Sequence, residues 1–425
     1  MTLLRICTFL LLIAFANVAL TEQAAGASTE DLADTLVELA LAANPNLSAL
    51  TSQIEALEAS AEGSRRIKDP MVGVEYSNVP WNSPTLGNSP MSGVQLRVQQ
   101  TLPAPGVNDA RQAASLARVD VREAALSEGQ ARLAYTVRSG FWRLAYVRAQ
   151  RQVTVSHIEL VAEMRQAVEG RYVAGFVDQS ALIRLSLLHD RLEDTLFDHD
   201  RDARVLQAGL NAAAARPPQT PIDTPPLNDA VAPTDKTVEM LLDVAKSQRG
   251  VLRQYQAEQV AAERMADLAK RQRSPELSVW AGYRLRSNNL ADGGADFLTV
   301  GFGGTLPFDY AGRYAAEHKQ AEHTAEAALH SYDGALDTLT SDLDAAMARW
   351  QRANQRASTY ANDLIPLGKS ALDTTMASFQ TGRATFESLY QAEVALLELE
   401  RALLAARAET WLQSAMVDGL IGTAD

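Results

Sequence analysis

Hydrophobic and small residues follow a strict heptad pattern in the second half of the chain, with steps that alternate between three and four positions. The pattern comprises Leu329, Tyr332, Leu336, Leu339, Leu343, Ala346, Trp350, Ala353, Ala357, Tyr360, Leu364, Leu367 and Ala371. A 3.5-residue repeat kept for this length predicts a left-handed coiled coil. Residues 312–379 would form a helix of about 100 Å, which only Pro366 would kink.

The chain repeats itself once. Tyr172-x-x-Gly175 corresponds to Phe379-x-x-Gly382, and Thr101-Leu102-Pro103 corresponds to Thr305-Leu306-Pro307. A period this long indicates a duplicated unit rather than a solenoid. The predicted division is a first repeat over 28–213, a proline-rich connector over 214–234 and a second repeat over 235–422.

Each repeat is predicted to contain the same elements in the same order. A helix is followed by two strands, a very long helix, a tight glycine turn and a last helix. Gly175 and Gly382 suit the ends of the long helices, and Asp178 and Thr385 suit the N-caps of the last ones. The predicted helices cover 29–68, 107–172 and 178–214 in the first repeat, and 235–273, 312–379 and 385–420 in the second.

Short segments of alternating apolar and polar residues predict strands at about 71–79, 92–102, 276–286 and 296–306. Such alternation is typical of outer-membrane barrel strands, which face lipid on one side and water on the other. The predicted lumen-facing residues are Gln95, Arg97, Gln99, Ser278, Arg284 and Thr299. The predicted lipid-facing residues are Val94, Leu96, Leu298 and Val300.

Four strands from one chain are too few to close a barrel, and a sheet edge left open in hydrocarbon has no hydrogen-bond partners. Three copies would supply twelve strands, while two would supply eight and leave an interior filled by side chains. A conduit therefore favours three copies. Two soluble hairpins packed on helices are the alternative that alternation alone leaves open.

The N-terminal segment has the pattern of an export signal. Arg5 precedes an apolar run over residues 6–20, and Ala25-Gly26-Ala27 resembles a cleavage site. We expect residues 1–27 to be a cleaved signal peptide rather than a membrane anchor. The one cysteine, Cys7, lies within it, so disulfides, thiolate metal sites and a cysteine nucleophile are not predicted for the mature chain.

Charge and motifs exclude several classes of function. The net charge of −13 argues against a nucleic-acid partner, which would favour a basic surface. The sequence carries no Ser-His-Asp spacing, phosphate-binding loop or HExxH motif, so no enzyme is predicted. The histidines are expected to be solvated helix residues, and no cofactor or metal site is predicted.

These features together resemble the TolC-type outer-membrane efflux proteins over essentially the whole mature length. The resemblance rests on the duplicated unit, the two glycine turns, the Leu-Pro pair after each hairpin, and the stretches 364–382 and 389–393. It implies a mainly α fold with a small β part, in which a homotrimer forms a twelve-stranded barrel in outer-membrane lipid. A long periplasmic helical tunnel would extend from this barrel.

The resemblance also implies partners. They are a periplasmic adaptor (membrane fusion protein) and an inner-membrane pump, with the resistance-nodulation-division type as the candidate. The shortness of the chain and the lack of a lipidated cysteine look like the heavy-metal branch of the family. A type I protein secretion duct of the same fold is the alternative function, followed by a soluble periplasmic coiled-coil scaffold.

The two glycine turns are predicted to form the periplasmic tip, where a resting channel would close. The predicted tip and gate residues are Tyr172, Gly175, Asp178, Phe379, Gly382, Arg383, Thr385 and Glu387. Arg383 is expected to pair with Asp178, Glu387 or Asp373 and so to bridge neighbouring hairpins.

Overall fold

The computed structural model describes residues 29–82, 85–287, 294–305, 308 and 312–423. The predicted signal peptide and the Leu306-Pro307 pair lie outside these ranges. The chain divides into two compact units. The helical unit consists of Met1–Ser48, Ser127–Gly250 and Asp337–Asp425, and the sheet unit consists of Ala49–Leu126 and Val251–Leu336.

The described chain is mainly helical with one small sheet, as the sequence predicts. The first half contains α1 Thr29–Ala43, α2 Pro45–Ser64, β1 Met71–Ser77, β2 Gly93–Leu102, α3 Val107–Val173 and α4 Gln179–Ala213. The second half contains α5 Val238–Gln248, α6 Gly250–Arg271, β3 Glu276–Leu285, β4 Phe297–Thr305, α7 Arg313–Thr359, α8 Ile365–Gln380 and α9 Phe386–Ile421. A π-helical turn, Tyr360–Leu364, joins α7 to α8. None of the described helices is both long and apolar enough to cross a membrane.

The four strands form one antiparallel sheet in the order β1-β2-β3-β4. One row of the register pairs Leu96 with Tyr283, and the next row pairs Gln95 with Arg284. Since neighbouring side chains point to opposite faces, this register places all six predicted lumen residues on one face and all four predicted lipid residues on the other. The sheet does not close on itself within one chain.

The first helix of each repeat is broken, whereas the sequence predicted it to be continuous. The break falls at Asn44 between α1 and α2, and at Arg249 between α5 and α6. Pro45 follows Asn44 and disfavours a helical conformation there. Arg249 has an extended conformation, with φ −64° and ψ 117°.

Each break is tied to the last helix of its own repeat. Asn44 Nδ2 donates to the carbonyl of Ala213 at 2.9 Å. The Arg249 guanidinium donates to the carbonyl of Gly419 and pairs with Glu128 at 2.8 Å. The two breaks are therefore equivalent features of the duplicated unit, held by side-chain bonds to a helix end that is distant in sequence.

Loss of the Arg249 side chain is expected to destabilise the helical unit. Arg249→Ala removes a half-buried ion pair and a charged hydrogen bond, which predicts a loss of about 2–3 kcal/mol in the free energy of unfolding. Lys246→Ala on α5 is the matched control, because its pair with Asp243 is exposed and contributes about 0–1 kcal/mol. Thermal melting followed by circular dichroism measures both, and equal melting temperatures would contradict the assigned role of Arg249.

The predicted heptad seam is buried only in part of its length. It is buried from Leu339 to Ala357, whereas Leu367 is 67% exposed and Ala371 is also exposed. Beyond the π-helical turn the buried positions move one residue along the chain, to Ile365, Leu372 and Phe379. The prediction of an unbroken heptad is therefore wrong after Ala357.

The shift in the buried positions after Ala357 has a local cause. Pro366 has no N–H to donate and its ring crowds the preceding turn, so a regular α-helix is disfavoured there. The chain widens one turn instead, and the N–H of Ile365 bonds to the carbonyl of Tyr360, five residues back. The extra residue in that turn changes which side chains face the core.

Candidate functional site

Both long-helix hairpins turn through a glycine in the left-handed conformation. Gly175 has φ 77° and Gly382 has φ 81°. The N–H of Gly175 donates to the carbonyl of Tyr172 at 2.9 Å, and that of Gly382 donates to Phe379 at 3.0 Å. These are Schellman-type C-caps, in which a side chain at the glycine position would be strained.

The helices that leave the two turns begin differently. Thr385 caps α9, because its hydroxyl accepts the N–H of Ser388 at 3.2 Å. Asp178 occupies the N-cap position of α4, but its side chain makes no capping hydrogen bond. The predicted cap positions are correct, and only the threonine forms the capping bond.

The two hairpins share one hydrophobic core in the helical unit. The core comprises Val161, Met164, Val168, Ala181, Leu185, Leu192, Leu372, Phe379, Leu389, Leu396 and Leu397. Phe379 is only 1% exposed, whereas the corresponding Tyr172 is 41% exposed. The second turn is therefore anchored in the core more deeply than the first.

Arg171, near the end of α3, reaches from the first repeat to the second turn. Its guanidinium donates to the carbonyl of Phe379. It also lies 5.1 Å from the ring centroid of Phe379 and 5.3 Å from that of Phe176. This residue was not among the predicted tip residues, although it connects the two turns within one chain.

Glu387 pairs with Arg184 of α4, which also was not predicted. Its carboxylate accepts a second hydrogen bond from Gln391 at 2.9 Å. The hydrogen bonds from Gln391 and Arg184 lower the pKa of Glu387 below its ordinary value. Arg383 donates to the hydroxyl of Thr381 at 3.2 Å, within its own turn. A bridge from Arg383 to a neighbouring hairpin stays a prediction.

The polar face of the sheet carries an ordered stack of side chains. The Arg97 guanidinium lies 4.3 Å from the ring centroid of Trp280. The indole of Trp280 lies against Gly301, where an added Cβ would overlap it. In the neighbouring row, Arg284 donates to Gln95 Oε1 at 2.7 Å. This face therefore carries two arginines, each of which contacts a neighbouring side chain of the same face.

The opposite face of the sheet is apolar and exposed in the single chain. Leu96 is 50% exposed, Leu298 is 73% exposed and Val300 is 75% exposed. A contiguous apolar surface of this kind normally marks contact with lipid or another protein.

Comparison with known proteins identifies a family for the second half of the chain. Residues 241–423 match the family model described as "Outer membrane efflux protein". These residues belong to the outer membrane efflux protein family. The resemblance inferred from the turns and strands is thereby confirmed.

Solved structures of other proteins share the fold of this chain. VceC from Vibrio cholerae has 19% identity and a TM-score of 0.75, with 92% of this chain and 96% of VceC covered. A membrane protein from Pseudomonas aeruginosa has 16% identity and a TM-score of 0.78, with 92% of each chain covered. The open MtrE channel of Neisseria gonorrhoeae has 16% identity and a TM-score of 0.74, with 92% and 89% covered. No curated protein matches the sequence significantly.

MtrE is described as an outer-membrane channel and VceC as an outer-membrane protein, and neither these structures nor the matched family is described as an enzyme. Among the described residues, His189, Asp190 and Glu193 on α4 form a group whose ligand atoms lie within 4.8 Å of one another. The two carboxylates are exposed, and such surface groups are common without an ion. We assign no metal role to them.

Proposed function

We propose that this efflux family member is one of three identical subunits of an outer-membrane channel, and that the channel is the exit duct of a tripartite efflux system. A periplasmic adaptor and an inner-membrane pump would deliver substrates to it. Within this proposal the polar face of the sheet lines the barrel lumen, and the two glycine turns form the closed periplasmic tip.

The sheet is the observation that carries the proposal. Among the described strands of one chain, β1 and β4 are the edges, and each pairs on one side only. An open edge beside an exposed apolar face is costly in lipid, because hydrocarbon offers no hydrogen bonds to the backbone. Pairing of β4 with β1 of the next copy would remove every edge, and three copies would give a twelve-stranded barrel.

The turns support a role in docking. Val173 is 86% exposed and Phe176 is 72% exposed at the first turn. Exposed apolar residues at a hairpin end are suited to contact with a protein partner. An adaptor that contacts both turns would compete with the links that Arg171 and Arg184 make between the hairpins.

Reconstitution tests the proposal. Protein extracted from outer membranes with detergent should cross-link as trimers and produce discrete conductance steps in planar bilayers. Thermally denatured protein, added at the same concentration in the same detergent, is the control and should give none. Recovery of the native chain in the detergent-free soluble periplasm would contradict the channel and favour the scaffold alternative.

A further inference from the structure

A histidine and two glutamates form a buried ionic group where α3 of the first repeat packs on α9 of the second. His157 is 2% exposed and Glu393 is fully buried. Nδ1 of His157 lies 2.6 Å from Glu393 Oε1, and Nε2 lies 3.1 Å from Glu400 Oε2. Because a carboxylate only accepts hydrogen bonds, both ring nitrogens must carry hydrogen, and His157 is an imidazolium.

The charges that face this histidine come from two helices of the second repeat. Glu393 and Glu400 belong to α9, and Lys369 of α8 lies 3.4 Å from Glu400 Oε1. The second oxygen of Glu393 is buried and accepts no hydrogen bond within the described chain. A buried carboxylate without a counter-charge is strongly disfavoured, so the charge on His157 offsets the cost of burying the Glu393 carboxylate in this position.

Hydrogen bonding keeps the imidazole of His157 charged at neutral pH. Burial alone would lower the pKa of His157, but the hydrogen bonds that its ring donates to Glu393 and Glu400 outweigh the burial and raise the pKa to about 9. The hydrogen bond that Glu400 accepts from His157 lowers the pKa of Glu400. The contribution of His157 to stability is therefore complete below its ordinary pKa of about 6.5 and is lost as the pH rises through about 9. The contribution of Glu400 is lost as the medium becomes acidic.

The geometry also fixes how the helices align. Glu393 and Glu400 are one heptad apart and occupy positions in the seam of α9, alternating with Leu389, Leu396 and Leu403. His157 sits between the two carboxylates, so a slide of α3 by one turn would leave one of them unpaired. What a buried ion pair adds to such a contact is a unique register, because any other alignment leaves a buried charge without its partner.

The ion pair between Arg184 and Glu387, which lies nearer the turns, is exposed, unlike the buried pair at His157. Arg184 and Glu387 are each 52% exposed, and exposed pairs contribute little to stability. His157 lies about four helical turns before Tyr172 in α3. The pair of Arg184 with Glu387 is thus a weak surface link near the hairpin ends, and the pair of His157 with Glu393 is a buried charged link behind it.

We propose that His157 is a buried cationic lock that fixes the register of α3 against α9, and that separation of the two hairpins during channel opening stops at this lock. The lock itself follows from the contacts in one chain. Its role in opening rests on the proposed channel function.

Hydrogen exchange of the purified trimer at pH 7 tests the lock without any channel activity. The variant His157→Leu with Glu393→Leu replaces the ion pair by apolar side chains, which preserves folding and removes the link. We expect at least tenfold faster exchange of the amides in 146–157 and 393–404, with trimers intact. His330→Leu, an exposed histidine on α7, is the control and should exchange as the wild type does. Wild-type rates in the double variant would overturn the lock.

Single-channel conductance tests the role in opening. Wild-type conductance should rise as the pH increases from 8 to 10, while the double variant should conduct at least twofold more at pH 7 and show no such rise. A variant with fast exchange and wild-type conductance would overturn the opening role and leave the register role supported. If no protein conducts, the wild type included, the proposed function fails, and the exchange result alone decides whether His157 is a lock.

Discussion

Leu96→Arg is expected to prevent assembly of the channel in the outer membrane. Leu96 is half exposed on the apolar face of the sheet, in the same row as Val74 and Tyr283. An arginine that faces lipid near the bilayer midplane costs about 2–4 kcal/mol in each subunit. Since every subunit of the proposed trimer would carry the change, the yield of heat-resistant trimer in outer-membrane fractions should fall by an order of magnitude or more.

Gln99→Arg is the matched control for this prediction. Gln99 lies on the same strand but on the polar face, opposite Trp280. A charged side chain there would be solvated in a water-filled lumen, so the trimer yield should stay within about twofold of the wild type. Equal yields for the two variants would show that the assignment of the faces is wrong.

Arg171→Leu combined with Glu387→Gln is expected to open the resting channel. The first change removes the bond from α3 to the carbonyl of Phe379, and the second weakens the pair between α4 and α9. With both links lost, the hairpin ends are held mainly by their shared hydrophobic core. Mean conductance in planar bilayers without adaptor should increase several-fold, and the increase should be smaller relative to wild type in high salt, where the wild-type pair is already screened.

A second double variant tests whether the tip is closed by bonds within one chain or by bonds between neighbouring copies. Arg383→Ser with Asp178→Ala leaves both contacts of Arg171 and Arg184 intact. If this variant opens the channel and the first does not, the tip is closed by bonds between neighbouring copies. Wild-type conductance in both variants, with trimers present, would assign closure to apolar packing around Leu372 and Phe379.

The strands were predicted from the sequence to within about two residues, because alternation is a local signal of a two-faced strand. The breaks at Asn44 and Arg249 were not predicted. The bonds that hold them end at Ala213 and Gly419, and no local pattern connects residues so far apart in sequence. The register shift after Ala357 was missed because a heptad pattern does not reveal a π-helical turn.

Some of the functional residues could likewise be predicted from local sequence, and others could not. Gly175 and Gly382 were found because a left-handed cap has a local sequence signature. Arg184 and His157 were missed because their partners lie in the other repeat. A signal for His157 was nevertheless present, since Glu393 and Glu400 occupy seam positions that leucines occupy on either side, and a charge in a seam indicates a buried partner.

Disulfide cross-linking between the edges of the sheet tests the central claim most directly. In a Cys7→Ser background the chain has no other cysteine, so a pair can be placed at Val74 of β1 and at one position of β4. A panel with Leu298, Val300 or Phe302 as the second position covers the possible registers between copies. We predict that one pairing gives a denaturing-gel ladder of one, two and three chains that ends at three. Ladders that continue beyond three chains, or only single chains for every pairing, would contradict a closed barrel of three subunits.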